Sequence, residues 1–128
     1  MSTDLAVRVA DSPGGLADVG EALGSAGINI EGLCGIGLGD RGLIHVLVED
    51  GAAARAALEG AGLSIESEDD AIVSEIPAGA ADSPGVMGQM ARAVAQAGVN
   101  MRAVYLATNN RAVAVTDDND KARAALGM

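Results

Sequence analysis

The chain has 128 residues and a formal net charge of −10. Proteins that bind nucleic acid neutralise phosphates with Lys and Arg, so this charge argues against a nucleic-acid partner. It also disfavours anionic membrane surfaces. No apolar run approaches the ~20 residues that span a bilayer, and the opening MSTDLAVRV lacks the basic-then-apolar order of a signal peptide. The single cysteine, Cys34, excludes an internal disulfide framework. Because the sequence shows neither a signal-peptide pattern nor a disulfide framework, we expect a cytoplasmic protein.

The first half of the chain predicts the element order βαββαβ. Apolar residues alternate from Leu5 to Val9, which is typical of a strand. Asp11 or Ser12 is expected to cap a helix that starts at Pro13. The remaining elements are a hairpin around GIGLGDRG (35–42), a helix over AAARAALEGAG and a fourth strand over LSIES (63–67). Short connections and right-handed crossovers favour an antiparallel sheet with both helices on one face.

The second half repeats the first. With a shift of 71 residues, DSPG at 11–14 falls on DSPG at 82–85, and Asn29 falls on Asn100. With a shift of 67, VLVED (46–50) falls on VAVTD (113–117). The second copy has four extra residues, AGAA (78–81), and ends after its second helix, so we expect it to lack a fourth strand. The sequence predicts two domains, residues 1–70 and 71–128.

This combination of features resembles the ACT domain, a small ligand-binding module of amino-acid metabolism. The matching features are a strand, D-x-P-G, a helix and then Gly-hydrophobic-Asn at the next strand. The resemblance covers nearly the whole chain as two tandem copies, as in free-standing tandem ACT proteins. It implies an α+β fold of two ferredoxin-like βαββαβ modules.

The repeated loop suggests a binding site for a free amino acid. The first amides of a helix have no partners within the helix and suit a carboxylate. Asp11 can accept hydrogen bonds from an ammonium, and Asn29 can serve either end of a zwitterion. The resemblance implies that the effector lies between two modules, with the loop of one facing the Asn of the other. The predicted ligand-binding residues are Asp11, Ser12, Gly14, Gly15, Leu16, Asn29 and Ile30 in the first copy, and Asp82, Ser83, Gly85, Val86, Met87, Asn100 and Met101 in the second.

Two differences distinguish the second site from the first. The AGAA insertion stands directly before Asp82, and Val86 replaces Gly15. Asp11 is therefore the stronger candidate. A purely structural alternative stays open, in which DSPG only starts a helix and both Asn residues lie in turns.

Other chemically capable residues give no site. GIGLGDRG precedes a strand, whereas a dinucleotide loop must open a helix. His45 has no second His or Cys nearby, Cys34 is expected to be a small apolar filler, and the acidic run ESEDD (66–70) is expected to be a solvated connection. We predict no catalytic residue, metal site or cofactor.

The leading functional prediction is a regulatory protein that binds an amino acid, with small or aliphatic site residues favouring a small or apolar effector. The alternatives are a regulatory subunit acting in trans on an amino-acid biosynthetic enzyme, a ligand-free assembly scaffold and, last, an enzyme. The strand AIVSEI (71–76) is expected to have one uncovered edge. Because proteins usually cover such edges, we predict a homodimer.

Overall fold

The structure, a computed structural model, describes residues 2–80 and 82–128. The chain divides into two compact units, Met1–Asp70 and Ala71–Met128. The fold is α+β, with four helices in the described residues. Unit 1 contains β1 (Thr3–Val9), α1 (Gly15–Ser25), β2 (Gly32–Gly37), β3 (Gly42–Val48), α2 (Gly51–Gly60) and β4 (Ser64–Asp70). Unit 2 contains β5 (Ile72–Glu75), α3 (Val86–Gln96), β6 (Met101–Ala107), β7 (Arg111–Thr116) and α4 (Asn119–Ala125).

The strands of unit 1 lie in the order β4-β1-β3-β2, and all neighbours are antiparallel. Leu5 pairs with Val46 and Val7 pairs with Ile44. Since side chains alternate between the faces of a strand, these four lie on one face. Both helices of the unit bury their apolar residues against that face, namely Val19, Leu23, Ala54 and Leu58.

The strands of unit 2 lie in the antiparallel order β6-β7-β5. Ile72 of β5 packs with Val94 of α3 and Ala122 of α4 in the core of this unit. Tyr105 is the one aromatic residue of the chain and is buried on β6. Unit 2 therefore repeats the helix-on-sheet arrangement of unit 1 with fewer large side chains.

The helix caps reveal how the two copies correspond. The Asp50 carboxylate accepts a hydrogen bond from the Ala53 amide at 3.0 Å and caps α2. The Asp118 carboxylate accepts one from the Lys121 amide at 3.1 Å and caps α4. Asp118 is thus the counterpart of Asp50, and the shift there is 68 residues, so the predicted shift of 67 for VAVTD is wrong.

Strand pairing supports the same correction. Leu5 pairs with Val46, whereas its counterpart Ile72 pairs with Ala114 rather than with Val113. A shift of 68 instead of 67 assigns a different set of β7 side chains to the helix-facing side, because neighbours on a strand point to opposite faces. The residues Ile44, Val46 and Val48 of β3 correspond to Ala112, Ala114 and Thr116 of β7.

The acidic run 66–70 is strand rather than connection, so that prediction is wrong. It forms most of β4 and pairs with β1 as far as Asp70 opposite Thr3. The charges fit into a strand because one arginine of the β2–β3 loop and one of α2 neutralise two of them. Arg41 binds Glu66 and Arg55 binds Glu68.

Candidate functional site

The first DSPG loop enters α1 through a glycine. Gly14 is the N-cap residue of α1, with φ of 106°, and no side chain caps the helix. The prediction that Asp11 or Ser12 caps a helix starting at Pro13 is therefore wrong. A Cβ on Gly14 would meet nothing within 4 Å. The loop needs glycine there because of its left-handed backbone, not because of crowding.

The Asp11 carboxylate contacts the β2–β3 hairpin instead of the helix. It accepts a hydrogen bond from the Gly39 amide at 3.1 Å. A Cβ on Gly37 would lie 2.6 Å from Asp11 Oδ1, so only glycine allows this approach. On the far side of the hairpin loop, Arg41 Nε donates to Glu66 at 2.7 Å. Two polar contacts thus hold the hairpin loop GIGLGDRG (35–42) in place.

A cavity of about 280 Å³ lies between the DSPG loop and this hairpin. The loop contributes Asp11, Ser12 and Gly14–Leu16, all predicted as ligand-binding residues. Most of the opposite wall comes from the ends of β2 and β3, near Gly37 and Gly42. Leu16 is 51% exposed, so it presents an apolar side chain at the mouth. One carboxylate, free helix amides and an apolar rim are what a zwitterionic ligand with a small side chain would need.

The second DSPG loop begins its helix with a glycine as the first loop does, but a turn precedes it. Gly85 caps α3 with φ of 91°, as Gly14 does for α1. The insertion folds into a turn in which the Ala80 amide donates to the Pro77 carbonyl at 2.9 Å. Ser83 belongs to the same turn, since its Oγ donates to the Gly79 carbonyl at 3.0 Å. Ala81, the last inserted residue, lies outside the described residues.

A second cavity, of about 220 Å³, lies beside this loop. Four of the predicted residues line it, Ser83, Gly85, Val86 and Met87, while Asp82 is exposed and does not line it. The hairpin side contributes Arg111, whose guanidinium donates to the Thr108 carbonyl at 2.8 Å. The first cavity is therefore bordered by a carboxylate and the second by a guanidinium.

Neither asparagine lies near the loop of its own unit. Asp11 follows the end of β1 that pairs with Gly42, whereas Asn29 precedes the end of β2 that pairs with Leu47. These ends are separated by the length of a seven-residue strand, about 20 Å. Asn29 is exposed, and the neighbouring Ile30 packs on the core of unit 1.

Asn100 has the corresponding position in unit 2. Its backbone exchanges two hydrogen bonds with Asp117, each of 3.1 Å, and its side chain is exposed. The neighbouring Met101 packs on the core of unit 2. Each unit thus places its loop at one end of the sheet and its Asn at the other.

A buried pair that sequence analysis missed lies on the sheet face opposite the helices. Asp4 is fully buried, and its carboxylate oxygens lie 2.9 and 3.1 Å from His45 Nδ1. The hydrogen bond to Asp4 raises the pKa of the imidazole, as do the charges of Asp69 and Glu66, while burial opposes the rise. The sequence contained one indication of this pair, because Asp4 is a charged residue inside an apolar strand. The spacing of residues did not predict the register that brings Asp4 beside β3.

Cys34 is exposed on β2, so its prediction as an apolar filler is wrong. Within residues 2–80 and 82–128, no three His, Cys, Asp or Glu side chains are grouped as a metal site requires. Over the same ranges, no helix combines the length and apolarity needed to cross a membrane.

Comparison with protein-family models gives no match, and comparison with curated proteins gives none either. Solved structures give clear matches. A protein of Bacteroides thetaiotaomicron superposes with a TM-score of 0.79 at 25% identity, over 98% of this chain and 85% of that one. The ligand-free regulatory subunit of aspartate kinase from Thermus thermophilus gives 0.74 at 24% identity, over 98% and 88%. The corresponding subunit from Thermus flavus gives 0.68 at 25% identity, over 98% and 88%. The chain therefore has the α+β fold of these aspartate kinase regulatory subunits, an ACT-type regulatory fold.

Proposed function

We propose that this protein is a cytoplasmic regulatory protein that binds a free amino acid, built of two ferredoxin-like ACT modules that correspond to units 1 and 2. The observation that carries the proposal is the cavity between the DSPG loop and the β2–β3 hairpin. It joins the Asp11 carboxylate to the open amides at the start of α1. An ammonium and a carboxylate would each find a partner there.

The position of the asparagines supports an effector site shared between modules. In each unit the Asn lies at the opposite end of the sheet from the loop. An effector that contacts both must therefore reach the loop of one module and the Asn of another. In this proposal Asp11–Leu16 faces Asn100 and Met101, and Asp82–Met87 faces Asn29 and Ile30.

The proposal includes a partner. The two Thermus proteins of the same fold are regulatory subunits of aspartate kinase. By analogy of fold, we infer that this chain acts in trans on an amino-acid biosynthetic enzyme when its effector is bound. Regulation in trans and effector binding are separable, because co-purification tests the first and a melting assay tests the second.

The test is thermal unfolding in the presence of each common amino acid. A true effector at 100 times its Kd stabilises the folded state by about 2.7 kcal/mol. Asp11→Asn should abolish this shift at the first site, because the neutral amide loses its attraction for the ammonium. Asp40→Asn is the matched control, since Asp40 is an exposed carboxylate on the adjacent hairpin loop. If no amino acid raises the melting temperature at millimolar concentration, the ligand-free scaffold is the better account.

A further inference from the structure

Unit 2 contains an apolar cavity next to the space beside its DSPG loop. Its volume is about 50 Å³. Apart from Ser74, the residues around it are apolar, and they include Ile72, Met87, Met90, Val94, Ala112 and Ala114. Apolar cavities stay dry and bind apolar groups. The cavity therefore offers a place for an apolar ligand group.

The small side chains of β7 explain why the cavity is in unit 2. In unit 1 the helix-facing positions Ile44 and Val46 are filled by branched side chains of the core. The counterparts of these residues are Ala112 and Ala114, which line the cavity. On the neighbouring strand, Ser74 takes the place of Val7. Several methyl groups that fill the core of unit 1 are thus missing from unit 2.

Met87 connects the apolar cavity to the loop. It lines both the 50 Å³ cavity and the 220 Å³ cavity at the start of α3, and it is 40% exposed. A methionine side chain has three rotatable bonds and adapts to its surroundings. Rotation of Met87 would join the two spaces, and Met90 behind it could adapt in the same way.

We propose that unit 2 binds α-amino acids with an aliphatic side chain of the size of leucine. The amino-acid head group lies in the loop cavity, and the side chain passes Met87 into the apolar cavity. In unit 1 the branched side chains of Ile44 and Val46 occupy the corresponding positions in the core, so the two loops differ in the side chain that they accept. This inference rests on the proposed function, because it assigns a ligand class to one of its two sites.

The test compares leucine with alanine by calorimetric titration. Ala112→Val and Ala114→Val restore the branched side chains of unit 1 and fill the pocket. Each should weaken leucine binding by at least about tenfold, the effect of a methylene-sized change in a hydrophobic pocket, and leave alanine binding unchanged. Ala95→Val makes the same chemical change on the exposed surface of α3. This variant should bind both leucine and alanine like the wild type.

A second measurement needs no variant. In protein with ¹³C-labelled methionine methyls, leucine should shift the signals of Met87, Met90 and Met101, which all line the cavity. The inference is wrong if those signals stay in place at saturating leucine, or if either folded valine variant binds leucine like the wild type. Alanine binding without leucine binding would overturn the inference and leave the proposed function standing. The absence of binding by any amino acid would overturn both.

Discussion

Gly14 and Gly85 adopt backbone angles that other residues adopt only at a cost. Both lie in the left-handed region, and a Cβ at either position would meet no neighbour within 4 Å. Gly14→Ala should therefore lower the free energy of unfolding by about 1–2 kcal/mol, the cost of a left-handed conformation. The repeated tetrapeptide is thus explained in part by backbone geometry, since its last residue must be glycine in both copies.

A matched substitution on the same helix should have the opposite sign. Gly20 lies inside α1 with open space around it, so Gly20→Ala should stabilise the protein by about 0.5–1 kcal/mol. Urea unfolding of both variants measures the difference. Equal stability of Gly14→Ala and the wild type would mean that the loop relaxes to another conformation.

His45 should make stability depend on pH. Its folded-state pKa is raised above 6.5, chiefly by the hydrogen bond to Asp4. A group with a raised folded pKa contributes its full stabilisation below the unfolded pKa and loses it as the pH rises through the folded pKa. The stability difference between the wild type and His45→Gln should therefore be fully present well below about pH 6.5 and should decline as the pH rises above that value.

Urea unfolding of both proteins at a series of pH values tests this expectation. Comparing the two removes the general effect of charge repulsion in an acidic chain, because only the imidazole differs. Asp4, Asp69 and Glu66 are the carboxylates that act on this imidazole. A difference that stays constant from weakly acidic to alkaline pH would show that the His45–Asp4 contact does not depend on protonation.

At the scale of elements, the sequence predicted the helices of the described residues and the order of helices and strands along the chain, mainly through the periodicity of apolar residues. It did not predict the register of β7, and the reason is local. Asp117 and Asp118 are adjacent, and either could cap α4 by residue type. The structure selects Asp118, and the pairing of β7 with β5 differs from the prediction by the same one residue.

The location of the candidate site could be predicted from the sequence, but its long-range contacts could not. Residue types located the loop, because Pro and Gly restrict its backbone whatever surrounds it. The contact between Asp11 and Gly39 joins residues 28 positions apart, and such contacts depend on how the hairpin lies against the loop. Cys34 and Asp4 lie on the same sheet face, as the strand pairing shows, yet Cys34 is exposed and Asp4 is buried, so their exposure depends on what covers each part of that face.

One hydrogen bond shows which residues of β5 direct their backbone groups away from β7, at the free edge of this strand. The Ile76 amide donates to the Asn110 carbonyl at 2.8 Å. Because facing pairs alternate along an antiparallel ladder, Val73 and Glu75 direct their backbone groups away from β7. Within unit 2, β5 is the last strand in the order. These groups would suit a further strand.

At the scale of the whole molecule, we expect a homodimer in which a second chain covers this edge. Sedimentation velocity at micromolar concentration should show twice the mass of the chain. Val73→Pro removes an outward amide while leaving the pairing with β7 intact, so it should give a folded monomer. Ser74→Pro is the contrasting variant, since it removes an amide directed at β7 and should destabilise unit 2.

Salt provides a check on the same assembly. Each chain carries a formal charge of −10, so screening should favour association. A wild-type monomer at every salt concentration, with slowly exchanging amides at Val73 and Glu75, would show that the chain protects this edge without a partner.

Tyr105 gives the molecule a built-in optical reporter. With no Trp and no Phe in the chain, near-ultraviolet absorption and emission come from a single phenol, which is buried on β6 of unit 2. Tyrosine emission therefore follows the unfolding of unit 2 alone, whereas far-ultraviolet circular dichroism sums over the backbone of both units. Superimposed curves from the two signals would identify one cooperative transition, and separated curves would assign a distinct stability to each unit.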